Sequence, residues 1–464
     1  MQNSSLVALL LAFWSSLYLL DVFLKSYRRY GKYYQEFQEQ HGITVSIGQA
    51  RWYTTCMNRV FLKIGQSNST LFHAWFTFGI WFGIIAMVSS IVLLVFMLIK
   101  TFQQDSTSEQ VLTPVMPGVN LPLSQIAYYF LTLAVCGILH EFGHAIAAVK
   151  EQVRVNGFGV FIFLLYPGAY VDLYTEHLNA ISPLRQLRIY CAGVWHNFII
   201  VVVCILLLHF LPVLLLPLYT MGNGAIVTEV LPHSPVSGEN GLDVGYKLLS
   251  INGCTINTSE DLLLCVNDVI HQPTKGYCLS IDDIQQMNKA NTDTSKDASE
   301  RKYACLTARS VTDRITCSTY YDCIVHRDMA CLHPALDKNT YLLRIIHDSG
   351  PAVLFVGDPY FLTYTVRVSS YIPRYTFSPI SFPNMLDTLL KYFISLSGAL
   401  AILNSVPCYA LDGQWILTAY VEYIFAKSIP KPTDRSFLIN CILLCGTLLL
   451  VSNILIAMVT LFMS

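Results

Sequence analysis

Charge is what this sequence has least of. Asp, Glu, Lys and Arg make up 13% of its 464 residues, against about 25% in ordinary soluble domains. That deficit excludes a plain cytosolic enzyme. The 29 Lys and Arg face 30 Asp and Glu, so there is no cationic surplus to hold phosphates, and nucleic acid is excluded as a partner. Disorder is excluded by the 12% of aromatic residues. The first apolar run lacks a basic leader and a small-x-small cleavage site, which points to a signal anchor rather than a cleaved signal peptide. What is present is apolar: 54% of the chain, gathered in long runs.

A bilayer core about 30 Å thick is crossed by roughly 20 helical residues. Six runs qualify: Ser5–Leu24, Leu71–Ile99, Leu123–Val149, Tyr190–Tyr219, Leu386–Pro407 and Phe437–Phe462. Phe158–Val171, with Gly157, Gly159, Pro167 and Gly168 around β-branched and aromatic residues, reads as a re-entrant hairpin packed inside protein. Gln414–Phe425 reads as a half-helix. Residues 25–70 hold seven basic residues and 101–122 hold none, so the positive-inside rule puts the first in the cytosol and the second in the lumen. The organisation expected is N-terminal spans and loops (1–122), a membrane core (123–219), a lumenal domain (220–385) and a second membrane core (386–464).

Seven cysteines fall between Cys254 and Cys331, a density that reads as a disulfide framework in an oxidising compartment. Asn257-Thr258-Ser259 is an N-glycosylation acceptor in the same segment and agrees with a lumenal address. Asn68-Ser69-Thr70 is another acceptor, abutting a span, and is expected to be unused. Residues 224–253 read as strand, Ser-Pro turn, Gly turn and strand, and resemble the core of a PDZ-like domain. Gly245-Tyr246 stands where the usual turn is Gly-Asp. The alternating stretch Phe361–Ser369 is expected to close that sandwich, with about 276–340 as a cysteine-rich insertion. The fold class is therefore a polytopic α-helical membrane protein with an inserted lumenal PDZ-like, mostly β domain.

The third run contains His140-Glu141-Phe142-Gly143-His144. Two His at i and i+4 share one helical face and can reach one tetrahedral metal, with the Glu beside it to take a proton from water. Ionisable residues in an apolar span cost about 2.5–3.5 kcal/mol each on insertion scales and default to a functional reading. A catalytic zinc wants a third protein ligand. Asp412 is favoured, because Pro407 breaks the fifth span and Gly413 permits a turn that aims the carboxylate into the bundle. Asp172 is the rival, while Glu176 and His177 read as a solvated corner. His196 faces about 100° away from Asn197 and reads as structural.

HExxH in an apolar span, followed far downstream by Asn404-x-x-Pro407-x-x-x-Leu411-Asp412-Gly413, resembles the site-2 protease family of intramembrane zinc metalloproteases. Glu151–Arg154, Asn156–Gly159, Tyr166–Ala169, Gly193-x-x-x-Asn197 and Ser395–Leu400 carry the likeness further. The resemblance implies one zinc ion held by His140, His144 and Asp412, with Glu141 activating water. It implies that Asn197 and Asn404 lie close by, on an oxyanion or an extended substrate strand. It also implies the substrate: a transmembrane helix of a membrane-anchored transcription factor, such as a sterol regulatory element-binding protein, cut after a first lumenal cleavage in the Golgi or endoplasmic reticulum. It favours a lumenal 25–70, against the charge count. A zinc transporter using the same ligands and an inactive PDZ-like scaffold are the alternatives from other classes.

Overall fold

The computed structural model describes residues 2–67, 69–103, 123–238, 240–291, 304–323 and 328–463. Asn68, most of the loop 101–122 and parts of the cysteine-rich stretch (292–303 and 324–327) lie outside the described residues. The chain divides into two compact units, Met1–His209 with Thr388–Ser464, and Phe210–Asp387.

The first unit begins with α1 (Gln2–Ser26) and α2 (Gly31–His41), tied together at buried Asp21, which accepts from Lys25 Nζ (2.8 Å), Tyr34 Oη (3.0 Å) and Gln38 Nε2 (2.7 Å). A hairpin, β1 (Ile43–Ser46) and β2 (Gln49–Thr54), and a short helix, α3 (Asn58–Gly65), lead into α4 (Ser69–Gln103). A turn at Leu123–Gln125 starts α5 (Ile126–Lys150). The segment expected as a re-entrant hairpin forms a β-hairpin: β3 (Val155–Phe163) and β4 (Tyr166–Leu173) pair antiparallel. The N-terminal hairpin joins it, giving a four-stranded sheet in the order β1-β2-β3-β4. After α6 (Thr175–Ala180) comes α7 (Pro183–His209).

The fourth span is shifted from its expected place. It runs Pro183–His209 rather than Tyr190–Tyr219. Its first turns admit Arg185 and Arg188 because both pair with buried Glu151, at 2.7 and 3.1 Å. A lone charge there would be costly, whereas a paired and hydrogen-bonded one is tolerated. At the other end Phe210-Leu211-Pro212 breaks the helix.

Five helices among the described residues are long and apolar enough to cross a membrane: Thr70–Thr101, Ile126–Lys150, Pro183–His209, Phe382–Ser405 and Pro432–Thr460. In lipid, helices gain no hydrophobic drive from touching, so association depends on close packing. Gly79 and Gly83 supply it on α4. A Cβ at Gly79 would lie 3.2 Å from the Trp195 ring, and one at Gly83 would lie 2.6 Å from Cys191 Sγ, so α4 and α7 meet backbone to side chain.

The second unit holds α8 (Leu211–Leu215), β5 (Tyr219–Thr220), β6 (Ala225–Val230), β7 (Lys247–Ile251), β8 (Cys254–Thr255), α9 (Ser259–His271), β9 (Gly276–Ser280), α10 (Ile281–Asn291), α11 (Ala308–Thr312), β10 (Thr316–Cys317), β11 (Met329–Leu332), β12 (Tyr341–His347), β13 (Val353–Gly357), α12 (Pro359–Thr365), β14 (Val366–Ser369) and β15 (Ile372–Pro373). Its main sheet runs β13-β12-β7-β6-β14, with β8 on β7, around a core that includes Val227, Leu248, Ile251, Leu343 and Ile345. Phe361–Ser369, expected as one strand, is not one. Asp358 caps α12 through Tyr360 N–H, the helix takes residues up to Thr365, and only Val366–Ser369 pairs with β6. Three disulfides (Cys254–Cys265, Cys278–Cys323 and Cys317–Cys331) join six of the seven clustered cysteines. The chain then returns through α13 (Phe382–Ser405), the half-helix α14 (Asp412–Ile424) and α15 (Pro432–Met463).

Candidate active site

Helix α5 carries His140 and His144 one turn apart, both buried. Their Nε2 atoms are 3.2 Å apart. Asp412, 272 residues from His140, brings Oδ2 to 2.8 Å from His140 Nε2 and 3.3 Å from His144 Nε2. Ligands 2.0–2.1 Å from a tetrahedral zinc stand about 3.3–3.4 Å from one another. The three atoms thus already occupy nearly the corners such an ion requires. Ligand-capable atoms of His140, Glu141 and His144 all lie within 4.8 Å of one another.

Asp412 reaches this place by a route the turn argument anticipated only in part. Pro407 ends the ladder of α13, and Ala410 takes a left-handed φ of 70°, reversing the chain. Asp412 is then the first residue of α14. Gly413 is helical. What requires glycine there is close approach: a Cβ would press on the Val406 carbonyl oxygen and lie 2.8 Å from that of Ser405. The physical cause is crowding rather than a special dihedral angle.

Around these atoms the rings and the carboxylate are held by specific partners. His144 Nδ1–H donates to the Ile189 carbonyl at 2.7 Å, which leaves Nε2 with its lone pair free for a metal. The Asn197 side-chain amide lies 3.0 Å from His140 Nδ1 and is fully buried. It therefore sits behind the ring, away from the ligand face, rather than where an oxyanion or substrate strand would lie. Ser397 Oγ–H donates to the Asn197 carbonyl at 3.0 Å, tying α13 to α7 at this level. Asn404 Nδ2 is 3.4 Å from His140 Nε2, on the ligand face. Glu141 Oε2 accepts the Val171 N–H at 3.0 Å, so one carboxylate oxygen is fixed and the other is left over.

Gly193, which entered only as part of the likeness, has a role that the sequence left unassigned. A Cβ there would lie 2.5 Å from His140 Nε2 and closer still to His144 Nε2. Helix α7 thus passes the two ligand nitrogens with a bare backbone, and the volume kept clear is where a shared ion would sit. The residues present fit zinc. The signal was in plain view, since Gly193 is one turn before Asn197, but only the packing of α7 on α5 gives it meaning. Asp172, the rival ligand, lies elsewhere. Its carboxylate accepts from Asn156 Nδ2 (3.3 Å) and Tyr53 Oη (3.4 Å) in the sheet. Glu176, exposed at the start of α6, accepts from Tyr174 Oη. His196 Nδ1 bonds the Ala192 carbonyl, a structural role as expected. Asn257 is exposed just ahead of α9 in the second unit.

A model of peptidase family M50 matches residues 128–448. The chain is 26% identical over 433 residues to an Arabidopsis thaliana protein named membrane-bound transcription factor site-2 protease homolog, covering 79% of this chain and 83% of that one. It is also 22% identical over 324 residues to a Clostridium perfringens protein assigned by its name to the zinc metalloproteases, covering 67% of this chain and 84% of that one.

Proposed function

The chain belongs to peptidase family M50 as a membrane zinc metalloprotease, and from that premise we propose that it cuts a peptide bond inside a substrate's transmembrane helix. The substrates proposed are membrane-anchored transcription factors, sterol regulatory element-binding proteins among them. They are cut after a first lumenal cleavage, so that a cytosolic fragment is released in the Golgi or endoplasmic reticulum. The observation that carries this reading is the triad of His140, His144 and Asp412 beside Glu141, with the space between them kept clear by Gly193.

In this reading His140, His144 and Asp412 hold one zinc ion. When bound, zinc would supply Lewis acidity, lowering the pKa of water towards about 7. The free oxygen of Glu141 takes a proton from water lying beside the triad and delivers it to the departing amine. Asn197, whose side-chain amide lies 3.0 Å from His140 Nδ1, holds the tilt of that ring from behind. Asn404, on the ligand face, donates its amide to the substrate carbonyl as negative charge develops there. A substrate helix already satisfies its carbonyls internally, so it must unwind before attack, and Asn, Pro or Gly in the substrate span favours cutting. Phe210–Asp387 is the lumenal part, with Asn257 carrying a glycan; its three disulfides support that address.

The test uses purified full-length wild type and Glu141→Gln, with zinc content measured for both. The probe is a dye–quencher peptide of about 20 apolar residues with a central Asn-Pro pair. Both proteins are expected to hold one zinc, and the variant to cut about 10²–10⁴-fold more slowly. A variant that still cuts removes Glu141 from the role of base. A zinc-loaded wild type that leaves the membrane peptide intact yet cuts a soluble chain sinks the substrate assignment.

A further inference from the structure

The Glu141 carboxylate is positioned by a strand rather than by its own helix. Val171 pairs with Phe158 across the β3–β4 ladder. In an antiparallel pair alternate amides point off the edge. That of Val171 does so, and it ends on Glu141 Oε2 at 3.0 Å. The place of Glu141 therefore depends on where β4 lies.

Two strands from the N-terminal region decide that. Gly157 and Gly159 leave a short stretch of one face of β3 without side chains, and two tyrosines fill the trough. A Cβ at Gly157 would lie 2.8 Å from Tyr53 Cε2 with the hydroxyl nearer still, and one at Gly159 would lie 2.7 Å from Tyr170 Oη. Tyr53, on β2, thus reaches across β3 to Asp172 on β4, Oη to Oδ2 3.4 Å, next door to Val171. Asn156 Nδ2 donates to the other Asp172 oxygen at 3.3 Å. The same N-terminal region grips the far end of the hairpin. β2 and β3 pair continuously from Gln49–Phe163 to Thr54–Phe158, Leu164 N–H donates to the Gly48 carbonyl at 2.8 Å, and Trp14 Nε1–H donates to the Leu164 carbonyl at 3.0 Å. Phe158, on the opposite face, packs on Phe142 of α5 at a centroid distance of 5.2 Å, so the sheet is pressed against the HExxH helix.

We propose that the β1–β2 hairpin, which lies outside the M50-matched segment 128–448, is a positioning element for the catalytic base. Tyr53, reaching over Gly157, clamps Asp172 and so fixes the Val171 amide on Glu141. The proposal rests on the reading of Glu141 as the base. Without the clamp, β4 gains freedom at Val171 and the carboxylate loses its fixed oxygen. Proton transfer then slows while ligand geometry and substrate binding stay as they were.

The experiment compares full-length wild type, Tyr53→Phe, Asp172→Ala, the double variant and Gly157→Ala on the same Asn-Pro peptide. It records kcat, KM, zinc content and thermal unfolding. Tyr53→Phe keeps the ring in the trough and loses only the hydroxyl. It and Asp172→Ala are each expected to lower kcat about three- to tenfold, the range one network hydrogen bond spans. KM and zinc content are expected to stay at wild-type values, with the double variant no worse than the poorer single one. Gly157→Ala, which displaces the ring, should act alike; if it does not fold, the Phe variant decides. Wild-type kcat in Tyr53→Phe overturns the proposal, and so does a fall that tracks lost zinc or lost stability. Glu141→Gln, run alongside, keeps the two readings apart. If it still cuts, the base assignment is what fails.

Discussion

Gly193→Ala is the sharpest test of the metal site, because it adds one methyl group and nothing else. That methyl would stand 2.5 Å from His140 Nε2 and 2.6 Å from His140 Cε1. Comfortable contact with a carbon needs about 3.5 Å, so either α7 backs away by about 1 Å or the imidazoles swing. Metal sites tolerate about 0.2 Å in ligand distance, and misplacement by 1 Å costs catalysis about 10²-fold. The fold itself should survive. Overpacking costs about 1–3 kcal/mol, while replacing a mid-helix glycine with alanine returns about 1 kcal/mol of helix propensity. The net loss of about 0–2 kcal/mol lies inside the usual margin of about 5–15 kcal/mol. The expected protein is folded, poor in zinc and at least about 100-fold slower. Gly137→Ala on α5 is the control, since a Cβ there meets nothing within 4 Å. Zinc per chain is measured after dialysis against a chelator, alongside peptide cleavage and the unfolding midpoint. A Gly193→Ala protein with full zinc and wild-type rate would refute the cradle.

Two further outcomes concern Phe210–Asp387. Cys278–Cys323 closes a loop of 45 residues, and the chain-entropy relation assigns such a closure about 4 kcal/mol. Reduction should therefore open residues 276–291 and 304–323 to limited proteolysis while α5 and α7 stay protected; equal protection before and after reductant would count against a structural role for that bridge. Asn257→Gln should remove one endoglycosidase-sensitive mobility shift from protein expressed in eukaryotic cells. If wild type shows no shift, the glycan and the support it lends to a lumenal address fall together.

Much of the site was legible because membrane burial makes charge rare. His140, Glu141 and His144 stand out inside an apolar run, and helical periodicity alone puts the two His on one face. Asp412 was favoured over Asp172 on the turn that Pro407 and Gly413 permit and on the likeness of its motif, but the sequence gives no distance for either carboxylate. Only the structure shows one 2.8 Å from His140 and the other committed to Tyr53 and Asn156. Asn197 was legible as a buried polar residue, yet its place behind His140 depends on the rotation of α7 against α5. Periodicity misjudged α7 itself by about two turns at its start, because Arg185 and Arg188 look like a boundary until Glu151 is found between them. Phe361–Ser369 alternates like a strand, but the Asp358 cap and Pro359 favour a helical start locally.

The sequence by itself determined that this chain belongs in a membrane, that it carries an HExxH helix there, and that its polar middle is cross-linked by cysteines. Those conclusions rest on composition and on contacts between near neighbours, which a linear pattern records. Tertiary structure alone showed how near Asp412 comes to His140, why residue 193 has no side chain, and which backbone amide holds Glu141. Each of these is a contact between segments far apart in sequence. Its energy depends on distances of a few tenths of an ångström, and no spacing along the chain encodes them.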